Sequence, residues 1–139
     1  MEMPEMMCWK VSRADLLIGG SGRDILNGDQ GQDKLYGGKA KDTLSGGGKS
    51  DLLVGGGGPD TLTGGAGSDT FFFRKGHGKD VITDFQHFRD TVEIGSSATR
   101  FRQLTIEQDG ANAVVSFADV EITMLDTLAN RLTADHFDF

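Results

Sequence analysis

Residues 19–72 read, in blocks of nine, GGSGRDILN, GDQGQDKLY, GGKAKDTLS, GGGKSDLLV, GGGGPDTLT and GGAGSDTFF. Asp holds the sixth place of every block, as Asp24, Asp33, Asp42, Asp51, Asp60 and Asp69. The eighth place is always large and apolar: Leu26, Leu35, Leu44, Leu53, Leu62 and Phe71. A fixed period outranks any single motif, because it sets the architecture of the whole segment. One block upstream, Lys10–Ile18 keeps the pattern only in Asp15 and Leu17; downstream, Gly76–Thr83 restores it after a two-residue insertion, with Asp80 and Ile82 in the sixth and eighth places.

Each place has a physical reason. Glycines at the first, second and fourth places allow positive φ and close backbone approach, which a tight turn with inward carbonyls requires. Places seven to nine form a short strand, whose alternation sends the eighth side chain to one face and its neighbours to the other. A turn plus a strand is half a coil, so two blocks make one winding with two strands facing each other across a thin core. The fold class this predicts is all-β, a coil of stacked turns and facing strands over residues 15–83 with a β-rich cap over 84–139 and a leader over 1–14. Turns two blocks apart then stack, with Asp15, Asp33, Asp51 and Asp69 along one edge and Asp24, Asp42, Asp60 and Asp80 along the other.

Stacked carboxylates at a strand spacing of ~4.8 Å repel one another. A divalent cation between successive turns removes that repulsion. Carboxylates and backbone carbonyls are an all-oxygen, hard donor set, which selects Ca2+ over zinc or copper and suits it better than magnesium. The candidate metal residues are the eight aspartates above with the turn glycines Gly19, Gly20, Gly22, Gly28, Gly31, Gly37, Gly38, Gly46, Gly47, Gly55, Gly56, Gly58, Gly64, Gly65 and Gly67. Asp29 replaces a second-place glycine, while Ala40 and Lys49 replace fourth-place glycines and carry a Cβ into a position that calls for positive φ.

Composition agrees. Glycine makes up 21 of 139 residues and the formal net charge is -7, a balance that suits a cation binder and argues against nucleic acid or an anionic membrane. Cys8 is the only cysteine, so no intramolecular disulfide forms. No apolar run approaches the ~18 residues of a membrane span, and the first ten residues, MEMPEMMCWK, lack the basic start and apolar stretch of a cleaved signal. Gly48-Lys49-Ser50 imitates the end of a phosphate-binding loop, but Thr43 stands where that loop needs its first glycine, and more glycines follow where it needs a helix. His77, His87 and His136 are scattered, and no nucleophile or metalloprotease motif occurs, so no catalytic residue is expected in this chain.

Six consecutive in-register blocks resemble the RTX calcium-binding repeats. The segments GHGKDVITDF, LTIEQDGANAVVSF and LTADHFDF are similar to the C-terminal flanks of serralysin-type proteases and of alginate epimerase R-modules. The resemblance implies a right-handed parallel β-roll with several calcium ions in its turns, a secreted, extracellular protein, and export by type I secretion machinery that reads an uncleaved C-terminal signal. By the same resemblance the chain stays unfolded at low calcium and folds outside the cell. A second reading is an extracellular module for an anionic polysaccharide, with Arg23, Lys34, Lys39, Lys41, Lys49 and Lys75 supplying a basic stripe.

Beyond Asp84 the nine-residue period ends. Residues 91–94, 104–107, 113–117 and 120–125 alternate like half-buried strands, and residues 133–136 read as a short helical turn. Phe137 and Phe139 are expected to pack on the cap, which must cover the apolar end of the roll and its open strand edge.

Overall fold

The computed structural model describes residues 13–95 and 100–139; most of the leader, with Cys8, lies outside them. Thirteen strands and three 3-10 turns make up the described chain. Odd-numbered repeat strands form one sheet and even-numbered ones the other. The first sheet stacks β1 (Leu16–Ser21), β3 (Lys34–Lys39), β5 (Leu52–Gly57), β7 (Thr70–Phe73), β9 (Thr91–Ile94) and the terminal β13 (Phe137–Asp138), all parallel. The second stacks β2 (Ile25–Asn27), β4 (Thr43–Gly48), β6 (Thr61–Ala66), β8 (Lys79–Ile82) and β12 (Val120–Met124) in parallel. There β11 (Asn112–Phe117) and β10 (Thr105–Asp109) complete an antiparallel end.

The register is the expected eighteen residues. Leu17 pairs with Leu35, Leu35 with Leu53 and Leu53 with Phe71 in one sheet, while Leu26 pairs with Leu44 and Leu44 with Leu62 in the other. These eighth-place side chains point inward and meet in a core whose interior members, from Leu35 to Ile82, have no exposed surface. A one-residue slip would turn the whole column to solvent, so the apolar pattern pins the register. The parallel roll is therefore built as read.

Its end differs from the reading. The period breaks at residue 84, but the ladder does not: β9 pairs in parallel with β7, and Val92 and Ile94 join the core. The seven-residue loop 84–90 is longer than a repeat turn, which hides the continuation from a nine-residue count. The cap proper comprises β10 to β12 and the 3-10 turns Phe101–Gln103, Ala129–Arg131 and Ala134–His136. Phe137 is buried against Phe101, whereas Phe139 remains 45% exposed.

Candidate metal centre

Glycine-rich turns carry the chain between the two sheets and stack into two edges. On one edge the backbone N–H of Asp15 donates to Oδ1 of Asp33, that of Asp33 to Asp51 and that of Asp51 to Asp69, at 2.7–2.9 Å. On the other edge Asp24 donates to Asp42, Asp42 to Asp60 and Asp60 to Asp80, at 2.8–2.9 Å. Each carboxylate from Asp33 to Asp80 in these two columns thus ties its own turn to the one before it through a single oxygen. The second oxygen, Oδ2, is buried and has no hydrogen-bond partner in Asp15, Asp24, Asp33, Asp42, Asp51, Asp60, Asp69 and Asp80. Buried polar atoms are nearly always satisfied, so eight unsatisfied carboxylate oxygens in two rows mark a missing positive partner.

The first-place glycines face those oxygens. A Cβ on Gly37 would lie 2.5 Å from Oδ2 of Asp42 and 2.6 Å from the carbonyl oxygen of Gly55, one turn further on. On Gly28 it would lie 2.5 Å from both Oδ2 of Asp33 and the carbonyl of Gly46. Gly19 and Gly46 repeat the arrangement with Asp24 and Gly37 and with Asp51 and Gly64. Only hydrogen fits on the glycine side of this cradle. The second-place carbonyls of Gly20, Asp29, Gly38 and Gly47, and the fourth-place carbonyls of Ala40 and Lys49, abut the matching glycine of the next turn. At Gly55 and Gly64 a Cβ would meet Oδ2 of Asp60 and of Asp69 at 2.4 Å.

The donor set is therefore carboxylate plus backbone carbonyl, with no nitrogen or sulfur. Among the described residues no three His, Cys, Asp or Glu side chains converge; a cation here would be held largely by the main chain. Such hard oxygen donors, irregular and numerous, fit Ca2+.

Electrostatics points the same way. Burial pushes the carboxyls of Asp33 and Asp42 above their usual range, those of Asp51 and Asp60 to about 6 and those of Asp69 and Asp80 to about 7. The donated N–H of the preceding turn works against the rise, and neighbouring carboxylates add to it. These groups resist ionisation where nothing positive meets them.

The substituted turns keep their backbone course. Ala40 has φ 78° and Lys49 φ 76°, while Asp29 has φ 65° and is held by Asn27, whose Nδ2 donates to its Oδ1 at 2.9 Å. Lys49 thus sits in left-handed backbone as an ordinary turn residue. The basic residues do not share one surface: Arg23, Lys39 and Lys41 lie on the turns of the Asp24–Asp42 edge, Lys49 on the opposite edge, and Lys34 on the outer face of β3.

The periodic reading missed three residues. Asp90 continues the Asp15 column, its Oδ1 accepting from the N–H of Asp69 at 3.0 Å, and its Oδ2 is satisfied by the N–H of Gln86 at 2.9 Å. Asp84 accepts from the N–H groups of Gly64 and Gly65 at 2.9 and 2.7 Å, and the side-chain amide of Gln86 donates to the Gly65 carbonyl at 2.8 Å. Loop 84–90 so closes its edge with protein groups. A signal was available: Asp90-Thr91-Val92 repeats the Asp-Thr-apolar step of Asp60-Thr61-Leu62.

Known proteins agree with this geometry. The family model for the RTX calcium-binding nonapeptide repeat matches residues 11–44 and 45–80. Among solved structures, the extracellular lipase LipA from Serratia marcescens superposes with a TM-score of 0.53 at 20% identity, over 95% of this chain and 20% of the lipase. The AlgE6R2 subunit of the Azotobacter vinelandii mannuronan C5-epimerase superposes with a TM-score of 0.53 at 26% identity, over 92% of this chain and 89% of that one. No curated protein matches the sequence. The chain spans a fifth of the lipase's length and most of the epimerase subunit's. With half of its residues in the repeat match and its aspartates stacked in two columns, the chain belongs to the family of RTX calcium-binding nonapeptide repeat proteins.

Proposed function

We propose that this chain is a calcium-driven folding module of a type I-secreted protein, unfolded in the cell and folded outside it. The observation that carries the reading is the double row of eight buried Oδ2 atoms without partners. When bound, calcium supplies the positive charge that these oxygens lack. Everything else is the protein's part. First-place glycines leave room at the carboxylates, stacked carbonyls complete the oxygen lining, and the N–H-to-carboxylate ladder holds each turn in register. Because a cation that binds only the folded state adds its binding free energy to stability, the external calcium concentration sets whether the roll is folded.

The C-terminus suits export before folding. Phe137 pairs with Val92 and is 6% exposed, and His136 Nε2 lies 2.8 Å from the carbonyl of His87. A receptor that reads Leu132–Phe139 meets those side chains freely only while the chain is unfolded. On this reading the module performs no catalysis of its own, and any enzyme activity belongs to other parts of a larger polypeptide. The lipase that shares the fold is described as extracellular, which supports the same localisation.

Two measurements test the proposal. Far-UV circular dichroism in EGTA, then in millimolar calcium, should show a disordered chain gaining β structure; an unchanged β spectrum would sink it. Deleting residues 132–139 should abolish export from cells with a type I exporter while leaving synthesis intact, and undiminished export would remove the secretion half.

A further inference from the structure

The even-strand sheet turns Thr43, Ser45, Thr61 and Thr63 outward, whereas the odd-strand sheet turns out Leu52, Val54 and Phe72. At its capped end the even-strand sheet finishes on an edge. Among the described residues β10 pairs with β11 alone, in an unbroken antiparallel register from Thr105↔Ser116 to Asp109↔Asn112. Alternate residues of such a strand aim their N–H and C=O groups away from the partner, so β10 offers a row of open backbone groups. It carries no proline, lysine or bulge, the devices that commonly blunt a sheet edge.

The two faces of this edge differ. Ile106 pairs with the fully buried Val115, which places it with Gln108 on the inner face; Thr105, Glu107 and Asp109 point the other way. A groove of about 570 Å³ lies on the inner side, lined by Leu104 and Ile106 and by Phe101, Ala129 and Leu132, with Arg102 among its polar groups. Gln108 ties the far side of the groove to the strand: its Oε1 accepts the N–H of Ala129 at 2.7 Å, and its Nε2 donates to the carbonyl of Thr127 at 3.3 Å. On the outer face Glu107 and Asp109 are exposed and make no ion pair among the described residues, whereas Glu121 of the same sheet meets Lys79 at 3.3 Å.

We propose that β10 is a docking edge for an extended protein segment that alternates apolar residues with Lys or Arg. Added to β10, such a segment pairs its backbone with the open N–H and C=O groups and sends successive side chains to opposite faces. Its apolar side chains fall beside Ile106, in the groove, where Arg102 disfavours a further cation. Its basic ones fall beside Glu107 and Asp109, which supply the opposite charge across the strand pair. A second copy of this chain fits worse, because β10 laid on β10 sets acid against acid. An acyl chain leaves the open backbone groups unpaired. The inference does not depend on how the chain leaves the cell.

The test uses the full chain in millimolar calcium and three end-blocked octapeptides: alternating Lys-Val, alternating Glu-Val, and four lysines followed by four valines. In calorimetry the alternating Lys-Val peptide should bind about tenfold more tightly than either of the others, and in amide NMR its shifts should gather on residues 104–109 and on Leu132. Ile106→Ser should weaken it about tenfold. Glu107→Lys, on the exposed face, should narrow the preference for Lys-Val over Glu-Val by about three- to tenfold. Circular dichroism identifies a variant that has lost its fold, and the Glu107→Lys comparison stands if Ile106→Ser does not fold. Four outcomes overturn the proposal: equal binding of the three peptides, shifts confined to the aspartate turns, a preference unchanged in Glu107→Lys, or a peptide-free dimer in sedimentation that Ile106→Ser dissociates.

Discussion

A proton should do part of what calcium does. In the metal-free roll, burial raises the carboxyls of Asp51 and Asp60 to about 6 and those of Asp69 and Asp80 to about 7, against 3.8 unperturbed. Because the folded values lie above the unfolded one, the roll binds more protons than the unfolded chain between about pH 4 and pH 7. Its stability is fully present below the unfolded value and is lost as pH rises through the folded values. At ~1.4 kcal/mol per pKa unit, ionising one such group at about pH 8 costs roughly 3–4 kcal/mol; water reaching the open side of the turns screens about half of that. Four groups then cost on the order of 6–8 kcal/mol, comparable to the whole stability of a small domain.

Circular dichroism in calcium-free buffer checks this. At about pH 8 the chain should be largely disordered, and at about pH 5.5 it should regain β structure and melt cooperatively. Asp60→Asn supplies the control. An amide oxygen still accepts the N–H of Asp42 but carries no charge, so the variant should be more stable than the parent without calcium at about pH 8, by roughly 1–2 kcal/mol, and bind calcium more weakly. A spectrum that does not change on acidification, or an Asp60→Asn variant no more stable than the parent without metal, would refute the reasoning.

Other substitutions separate the cradle from the core. Gly37→Ala places a methyl 2.5 Å from Oδ2 of Asp42 and 2.6 Å from the Gly55 carbonyl; it should cost about 1–3 kcal/mol and lower calcium affinity, read by calcium titration followed by circular dichroism. Leu53→Ala, at a position with no exposed surface, should cost about 2–5 kcal/mol in chemical denaturation of the calcium-loaded chain, with little preference for one edge's sites. Lys49→Gly removes a side chain from backbone at φ 76°. The relief of ~1–2 kcal/mol exceeds the added chain entropy of ~0.5–1 kcal/mol, so the calcium-loaded melting temperature should rise slightly.

Which features were legible follows from what repeats. Asp at every sixth place and Leu at every eighth determined the strands, the inward column and the two carboxylate edges, because a parallel ladder copies one local solution from turn to turn. The N–H-to-Oδ1 bonds were hidden, since they depend on how far apart successive turns sit and not on residue type. Asp84, Gln86 and Asp90 were hidden by spacing: Asp90 follows Asp69 by 21 residues, so a count of nine passes over it although its local Asp-Thr-apolar step matches. The contrast between outer faces was hidden by the period itself. Cutting every nine residues superposes Leu52-Leu53-Val54 on Thr61-Leu62-Thr63 and makes the seventh and ninth places look variable. Cutting every eighteen separates them into a hydroxyl sheet and an apolar, partly aromatic one. The physical repeat of a roll is the full winding, and surface chemistry, unlike the metal turns, is written at that longer period.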